Sequence, residues 1–404
     1  MPRLFGEELP VEGRGKPLEP EVVGQAPERS ILLYVHVPFC RRKCHYCAFH
    51  SQSFNQVTFA WYLKILLAEI ELWGKRLSRP RVETLFFGGG TPSLFPLNDL
   101  ARVMDALRAS FRLDDGLEAT LEANPDSACD VSFFRALLSI GFNRLSLGVQ
   151  SLDDPDLILL GRPHSARQAV DTFTLARQAG FGNISLDLIS GLPGQRQRDW
   201  LRQLEGAVRL RPEHLSCYGL TVEPGTPLER SLDLGEYALP SEKEQGQMYV
   251  YGAEYLESQG YLQYEVSNFA RMGFACRHNL GYWQGRDYLG LGPSAVSTLG
   301  RRRFTNPRYM DAYDAAVRGG FAGMDFEELD DAARLREMVM LSLRTTEGLD
   351  LVRYRKLSGR DLLKDEARLM QGLRQNDLVR IKKGRLSLTK TGMLVSNSII
   401  SRLI

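Results

Sequence analysis

The 404-residue chain has no run of about 18 consecutive apolar residues, so none of it reads as a bilayer-spanning helix. It also lacks a dominant charge. Fifty-one Lys and Arg stand against 49 Asp and Glu, a formal net charge of +2, and no global field draws it to nucleic acid or an anionic membrane. No basic stripe with interleaved aromatics occurs either, which argues against a nucleic-acid partner. The runs Arg41-Arg42-Lys43 and Arg301-Arg302-Arg303 read as solvated faces. Cysteine is scarce: six residues, three of them within eight positions, do not make the disulfide framework of a secreted protein. That usage fits a reducing cytoplasm, where clustered thiols serve as metal ligands or catalytic groups. Residues 1–29 are rich in Pro, Gly and Glu and have no apolar segment, so they read as a flexible tail rather than a secretory signal.

Beyond the tail, strand-like and helix-like segments alternate. ILLYVHV (31–37), TLFF (84–87), EATLEAN (118–124), RLSLGVQ (144–150), ISLDLIS (184–190) and HLSCYGL (214–220) are short apolar runs of the strand type. Between them lie helix-spaced segments near 57–77, 97–111, 131–139, 165–179 and 197–209, with Leu63, Leu66, Leu67, Ile70 and Trp73 on one face of the first. Six strands in alternation with helices predict parallel strands joined by right-handed crossovers, an α/β fold of the partial (β/α)6 barrel type. Cys40, Gly88 to Thr91, Glu122, Asn124, Gln150, Asp187 and Tyr218 fall where these strands end, the edge that carries chemistry in such folds. Further along, 241–259 reads as a helix and LVRIKKGRLSLTKTG (378–392) as a hairpin. The expected division is a tail over 1–29, the barrel over 30–240, an extension over 241–319 and a helix-rich C-terminal domain with a small β-wing over 320–404.

The three clustered thiols are Cys40, Cys44 and Cys47 in HVPFCRRKCHYCAFHS, spaced C-x-x-x-C-x-x-C in the loop leaving the first strand. Three close thiolates suit zinc with a fourth ligand, here His45 or His50, or three irons of a four-iron–four-sulfur cluster with one iron left open. Gly88-Gly89-Gly90-Thr91-Pro92 closes the second strand, where missing side chains let backbone approach a ligand. Glu122, Gln150, Arg162 and Asp187 lie on later strands and loops, each readable alone as an ordinary core polar or a surface ion pair.

Together these motifs resemble the radical SAM family, in its oxygen-independent coproporphyrinogen III oxidase-like branch, over about residues 30–400. The resemblance implies a four-iron–four-sulfur cluster on Cys40, Cys44 and Cys47. It further implies S-adenosylmethionine (SAM) bound at the open iron and cleaved reductively to a 5′-deoxyadenosyl radical. Carried over position by position, it assigns SAM contacts to Tyr34, Tyr46, Gly89, Gly90, Thr91, Glu122, Gln150, Arg162 and Asp187. Thr221 departs from the small apolar residue found there in the coproporphyrinogen III dehydrogenase of that branch, and Phe49 stands where that dehydrogenase has a fourth cysteine.

Downstream, YEVSNFARMGFACRHNLGYW (264–283) and LGLGPSA (289–295) resemble the heme-chaperone family of that branch. Histidine can supply an axial nitrogen to heme iron, and aromatic rings can cover a porphyrin face. His278 with Tyr282 and Trp283 offers both, and Cys276 adds a thiol. The competing reading of the segment is a packing motif with His278 hydrogen-bonded and Trp283 buried. Cys129 and Cys217 read as inert core thiols.

The resemblance thus implies a chaperone that binds heme, His278 included, and delivers it to hemoproteins, with respiratory membrane enzymes as expected recipients and no membrane contact beyond the peripheral. No residue is assigned to catalysis; SAM cleavage lies within reach of the cluster. The alternatives are a coproporphyrinogen III dehydrogenase, which Phe49 and the His278 segment oppose, and a radical SAM methyltransferase, which only the latter opposes.

Overall fold

In a computed structural model, which describes residues 30–128 and 130–404, the first strand, β1 (Ile31–Val37), is buried at every position but Tyr34. A strand buried on both faces belongs inside a parallel sheet. It pairs in parallel with β2 (Arg81–Gly89), β2 with β3 (Arg112–Ala123), and β3 with β4 (Arg144–Gln150). The strands β5 (Ile184–Ser190) and β6 (His214–Gly219) continue the alternation. Helices Gln56–Arg76, Leu97–Ser110, Val131–Ile140, Ala166–Ala179 and Gln197–Arg209 fall between them, as the apolar spacing predicts. The expected tail and Cys129 lie outside the described residues.

The chain divides into two compact units, each built from segments distant in sequence. One comprises the described residues up to Ser185 with Thr221–Glu236 and Asp287–Glu328. Its sheet runs beyond β1 in a way the sequence does not announce. β7 (Tyr288–Leu291) lies parallel to β1, with Leu33 opposite Leu289, and strands Val296–Leu299, Arg302–Thr305 and Glu327–Glu328 extend the sheet outward. Four-residue strands containing Gly290, in a stretch rich in turns, carry too little periodicity to be read.

The second unit comprises Leu186–Leu220, Tyr237–Arg286 and Leu329–Ile404. Here Asn268–Ala270 pairs antiparallel with β6, and the C-terminal helices close on Leu343, Tyr354, Leu386 and Leu388. The expected hairpin is shorter than 378–392. Its strands are Val379–Lys382 and Arg385–Leu388, and Thr389 then caps a helix by accepting the Gly392 N–H at 3.0 Å.

Helix Gln56–Arg76 buries Phe59, Tyr62, Leu63, Leu66, Ile70 and Trp73, and among them a carboxylate, Glu69. Glu69 Oε2 accepts from Gly292 N at 2.7 Å and Tyr313 OH at 2.5 Å, and Oε1 accepts from Asn306 Nδ2 at 2.7 Å. Burial raises its pKa from the ordinary 4.5 to about 7, against the pull of these donors. An acid raised in this way contributes stability that is full below 4.5 and lost as pH rises through 7. Urea unfolding of the wild type should therefore weaken between pH 5 and pH 8 relative to Glu69→Gln, by up to about 3 kcal/mol. Equal pH slopes for the two proteins would show that Glu69 does not titrate in this range.

Candidate metal centre

The thiols sit just beyond the end of β1. Phe39 and Cys40 pair in parallel with Gln52 and Ser53, closing the intervening loop on itself. His45 pins that loop: its N–H donates to Leu160 O at 2.9 Å, its Nδ1 lies 2.9 Å from Leu159 O, and its carbonyl accepts Leu228 N–H at 3.0 Å. Cys40, Cys44 and Cys47 are all free and half-buried. Burial raises the Cys40 thiol, opposed by hydrogen bonds from Thr91 and Ser51, and burial raises Cys47. Each also feels the charge of Cys44, so the three sulfurs form one electrostatic group.

The end of β2 approaches this loop without side chains. A Cβ on Gly90 would lie 2.5 Å from Phe39 O, and one on Gly89 2.6 Å from the His36 ring. The approach lets Thr91 N donate to Phe39 O at 2.7 Å and Thr91 Oγ1 to Cys40 Sγ at 3.6 Å. From the other side Arg162 NH1 donates to Cys44 Sγ at 3.4 Å. Burial opposes the Arg162 charge, but Tyr46 and Cys44 hold its pKa above the ordinary value. Its Nε is buried and meets no acceptor. Burial raises Tyr46 despite the neighbouring Arg162.

Deeper in the strand ends, Glu122 Oε2 accepts Gly89 N–H at 3.1 Å. Tyr34 OH lies 3.1 Å from His36 Nδ1, and burial, then the Glu122 charge, push the Tyr34 phenol well up. Burial lowers His36 to about 4, so the imidazole is neutral. Gln150, the last residue of β4, has φ 67°, a left-handed conformation uncommon outside glycine and of the kind found where a strand end is shaped for a site. The first unit therefore brings together Tyr34, Cys40, Cys44, Tyr46, Cys47, Gly89, Gly90, Thr91, Glu122, Gln150 and Arg162 at one end of its strands. Sequence reasoning did not select His36, and it placed Asn124 at a strand end without giving it a role; the Asn124 amide donates to Thr91 Oγ1 at 3.0 Å and accepts from Arg162 NH2 at 2.7 Å. Both are polar residues within recognised strand runs, and nothing in the pattern separates them from satisfied core polars.

Asp187 and His278 belong to the second unit. Asp187 lies on β5, where its charge adds to burial in raising the Cys217 thiol, consistent with an inert cysteine. His278 is on the seven-residue helix Arg277–Trp283 and is 0% exposed, its Nε2 3.1 Å from Tyr282 OH.

Three comparisons bear on this geometry. The Radical SAM superfamily model matches residues 34–205 and the HemN C-terminal domain model residues 329–395. A heme chaperone HemW from Mycobacterium tuberculosis is 36% identical over 395 residues, covering 97% of this chain and 99% of its own. The HemW of Bacillus subtilis is 33% identical over 368 residues, 91% and 97% of the two chains. This chain belongs to the HemW family. Among solved structures, the radical SAM enzyme coproporphyrinogen III oxidase (HemN) of Escherichia coli matches with a TM-score of 0.81 and 25% identity, over 95% of this chain and 92% of that one.

Radical SAM membership implies a four-iron–four-sulfur cluster and SAM, and the thiol loop fits that requirement. It supplies three free thiols, two donors already on sulfur and a strand edge stripped of side chains. The zinc alternative loses support, because His45 is held over Gly161 and His50 Nδ1 accepts from Arg308 Nε at 2.9 Å.

The close approach of β2 can be tested in this HemW-family chain without any cofactor. Gly90→Ala should push Phe39 and Cys40 aside, so that Cys40 reacts several-fold faster with a thiol reagent. Gly116→Ala, where nothing lies within 4 Å of the added Cβ, should leave that rate unchanged. Equal rates in both variants would mean that the glycine edge does not position the thiol.

Proposed function

We propose that this chain binds heme and delivers it to recipient hemoproteins in the cytoplasm or at the respiratory membrane. In this reading Cys40, Cys44 and Cys47 hold a four-iron–four-sulfur cluster. SAM then lies along the Gly89–Thr91 edge with Glu122, Gln150 and Arg162. The observation that carries the reading is identity of 36% and 33% to two HemW heme chaperones over nearly the whole chain. When bound, the cluster supplies an electron for SAM cleavage at the iron that lacks a protein ligand. The chain's own part is to hold the thiols, to present backbone rather than side chains at Gly89 and Gly90, and to place the Arg162 cation against sulfur.

Anaerobically prepared protein should carry about four irons per chain, and Cys40→Ala, Cys44→Ala or Cys47→Ala should each remove most of it. Stoichiometric zinc without labile sulfide would overturn the cluster assignment.

The structural likeness to coproporphyrinogen III oxidase favours a second reading, oxidative decarboxylation of that substrate. Two measurements separate them. Heme titration should give a Soret band at about one heme per chain. The reconstituted protein with SAM, reductant and coproporphyrinogen III should release no protoporphyrinogen IX, since an exposed Phe49 replaces the fourth cysteine. Turnover without heme binding would reverse the order of the two readings. Because His278 is fully buried, ligation through it requires the 277–283 helix to open. An unchanged heme spectrum and affinity in His278→Ala would leave that residue a packing role.

A further inference from the structure

Asn124 comes directly after β3, and every polar group it has is engaged. Its N–H donates to Ser93 Oγ at 3.2 Å and its carbonyl accepts from Ser127 Oγ at 2.9 Å. Its side-chain NH2 donates to Thr91 Oγ1 at 3.0 Å, and its Oδ1 accepts from Arg162 NH2 at 2.7 Å. Thr91 and Arg162 each donate to a cysteine sulfur, at Cys40 and Cys44 respectively. The path Cys40–Thr91–Asn124–Arg162–Cys44 is thus an unbroken chain of hydrogen bonds joining two of the three thiols through a single amide.

The amide is matched to its neighbours. A threonine hydroxyl that gives its one proton to sulfur must accept from elsewhere, and a guanidinium needs acceptors; a carboxamide meets both demands at once, from two separate atoms. Space is reserved for it as well. A Cβ on Gly148 would stand 2.9 Å from Asn124 Oδ1 and 3.3 Å from Arg162 NH2. Asn124 touches no thiol itself, so its effect on sulfur passes through the two donors.

We infer that Asn124 is a positioning residue that sets how readily the cluster accepts an electron, by holding one neutral and one cationic donor on its cysteine sulfurs. This rests on the assignment of Cys40, Cys44 and Cys47 as cluster ligands. Hydrogen bonds and positive charge at cluster sulfurs favour the reduced, more negative state. Asn124→Ala removes the donor to Thr91 Oγ1 and leaves Arg162 NH2 held by Gly148 O alone, at 2.7 Å. Asn124→Asp keeps the acceptor for Arg162, but it turns the Thr91 proton away from Cys40 and offsets the guanidinium charge. Both changes make reduction harder.

The test is an anaerobic potentiometric titration of the reconstituted full-length chain, with the reduced cluster read by electron paramagnetic resonance. Each Asn124 variant should show a roughly tenfold lower ratio of reduced to oxidised cluster at a fixed potential, a shift of about −59 mV for a one-electron couple. Thr91→Val should shift the midpoint in the same direction and Thr91→Ser should restore it. The Asn124→Ala and Thr91→Val shifts should add to less than their sum, because both act through the same bond. A wild-type midpoint in both Asn124 variants with full iron would overturn the inference, as would strict additivity. Loss of iron in both variants with the fold retained would reassign Asn124 to assembling the thiols and overturn the tuning role. Failure of the wild type itself to hold iron would instead overturn the cluster reading beneath it.

Discussion

The thiol-bearing end of the first unit depends on one close approach, that of β2 to the backbone beyond β1. Gly90 N donates to Val37 O at 2.8 Å and Thr91 N to Phe39 O at 2.7 Å. Neither bond survives a side chain at Gly90, whose Cβ would overlap the Phe39 carbonyl. With the bonds made, Thr91 is buried at 3% exposure and its hydroxyl reaches Cys40. The same approach delivers Gly89 N–H to Glu122 and leaves room for the His36 ring. Glycine is entropically costly in a strand. Three in succession are tolerated here because the backbone they leave bare is used on both sides.

That approach needs β1 to be fixed from its other face, and buried polar groups supply the fixing. Tyr62 OH donates to His36 O at 2.8 Å, and Gly292, whose absent Cβ would lie 2.5 Å from the same carbonyl, is held by Glu69. One short stretch of helix, residues 62–69, thereby braces the end of β1 through a hydroxyl and, by way of Gly292, a carboxylate. An unpaired buried carboxylate costs several kcal/mol. Glu69 is retained at that depth because three donors converge on it, two of them from residues more than 230 positions away.

The legible parts of the structure were those written as local pattern. Apolar runs located six strands, and the spacing of Cys40, Cys44 and Cys47 located the centre. Gly88 to Thr91 announced a bare strand end, since a run of three glycines there calls for close approach of backbone or a tight turn into the next helix. What escaped notice depends on distant partners. Glu69 reads as one more polar residue on a helix, and only Asn306 and Tyr313 reveal that it faces inward. Asn124 reads as a strand-end polar until Thr91 and Arg162 are seen on either side of it. β7 is four residues of a glycine-rich stretch, and its pairing to β1 gives it a strand's identity that its composition does not. The left-handed backbone of Gln150 has no signature at all in a non-glycine residue.

The second unit carries the opposite lesson, since the segment easiest to read chemically is the one packed away. His278 faces Tyr282 edge-on at 4.9 Å with no exposed surface. Asn279 beside it donates to Tyr264 OH at 3.4 Å and to the buried Glu265 at 3.3 Å. Burial lifts Glu265 to about 7 against the donors Ser267, Asn268 and Asn279. Trp283 Nε1–H is buried and meets no acceptor. A helix of seven residues has little stability of its own and is held by these contacts. Any ligand that uses His278 must first separate them, so its apparent affinity is its intrinsic affinity reduced by the fraction of open molecules. Were heme ligated through His278, as the proposed function allows, closing of the helix on Asn279 and Glu265 would oppose its retention, and the packing that hides the histidine would favour its release.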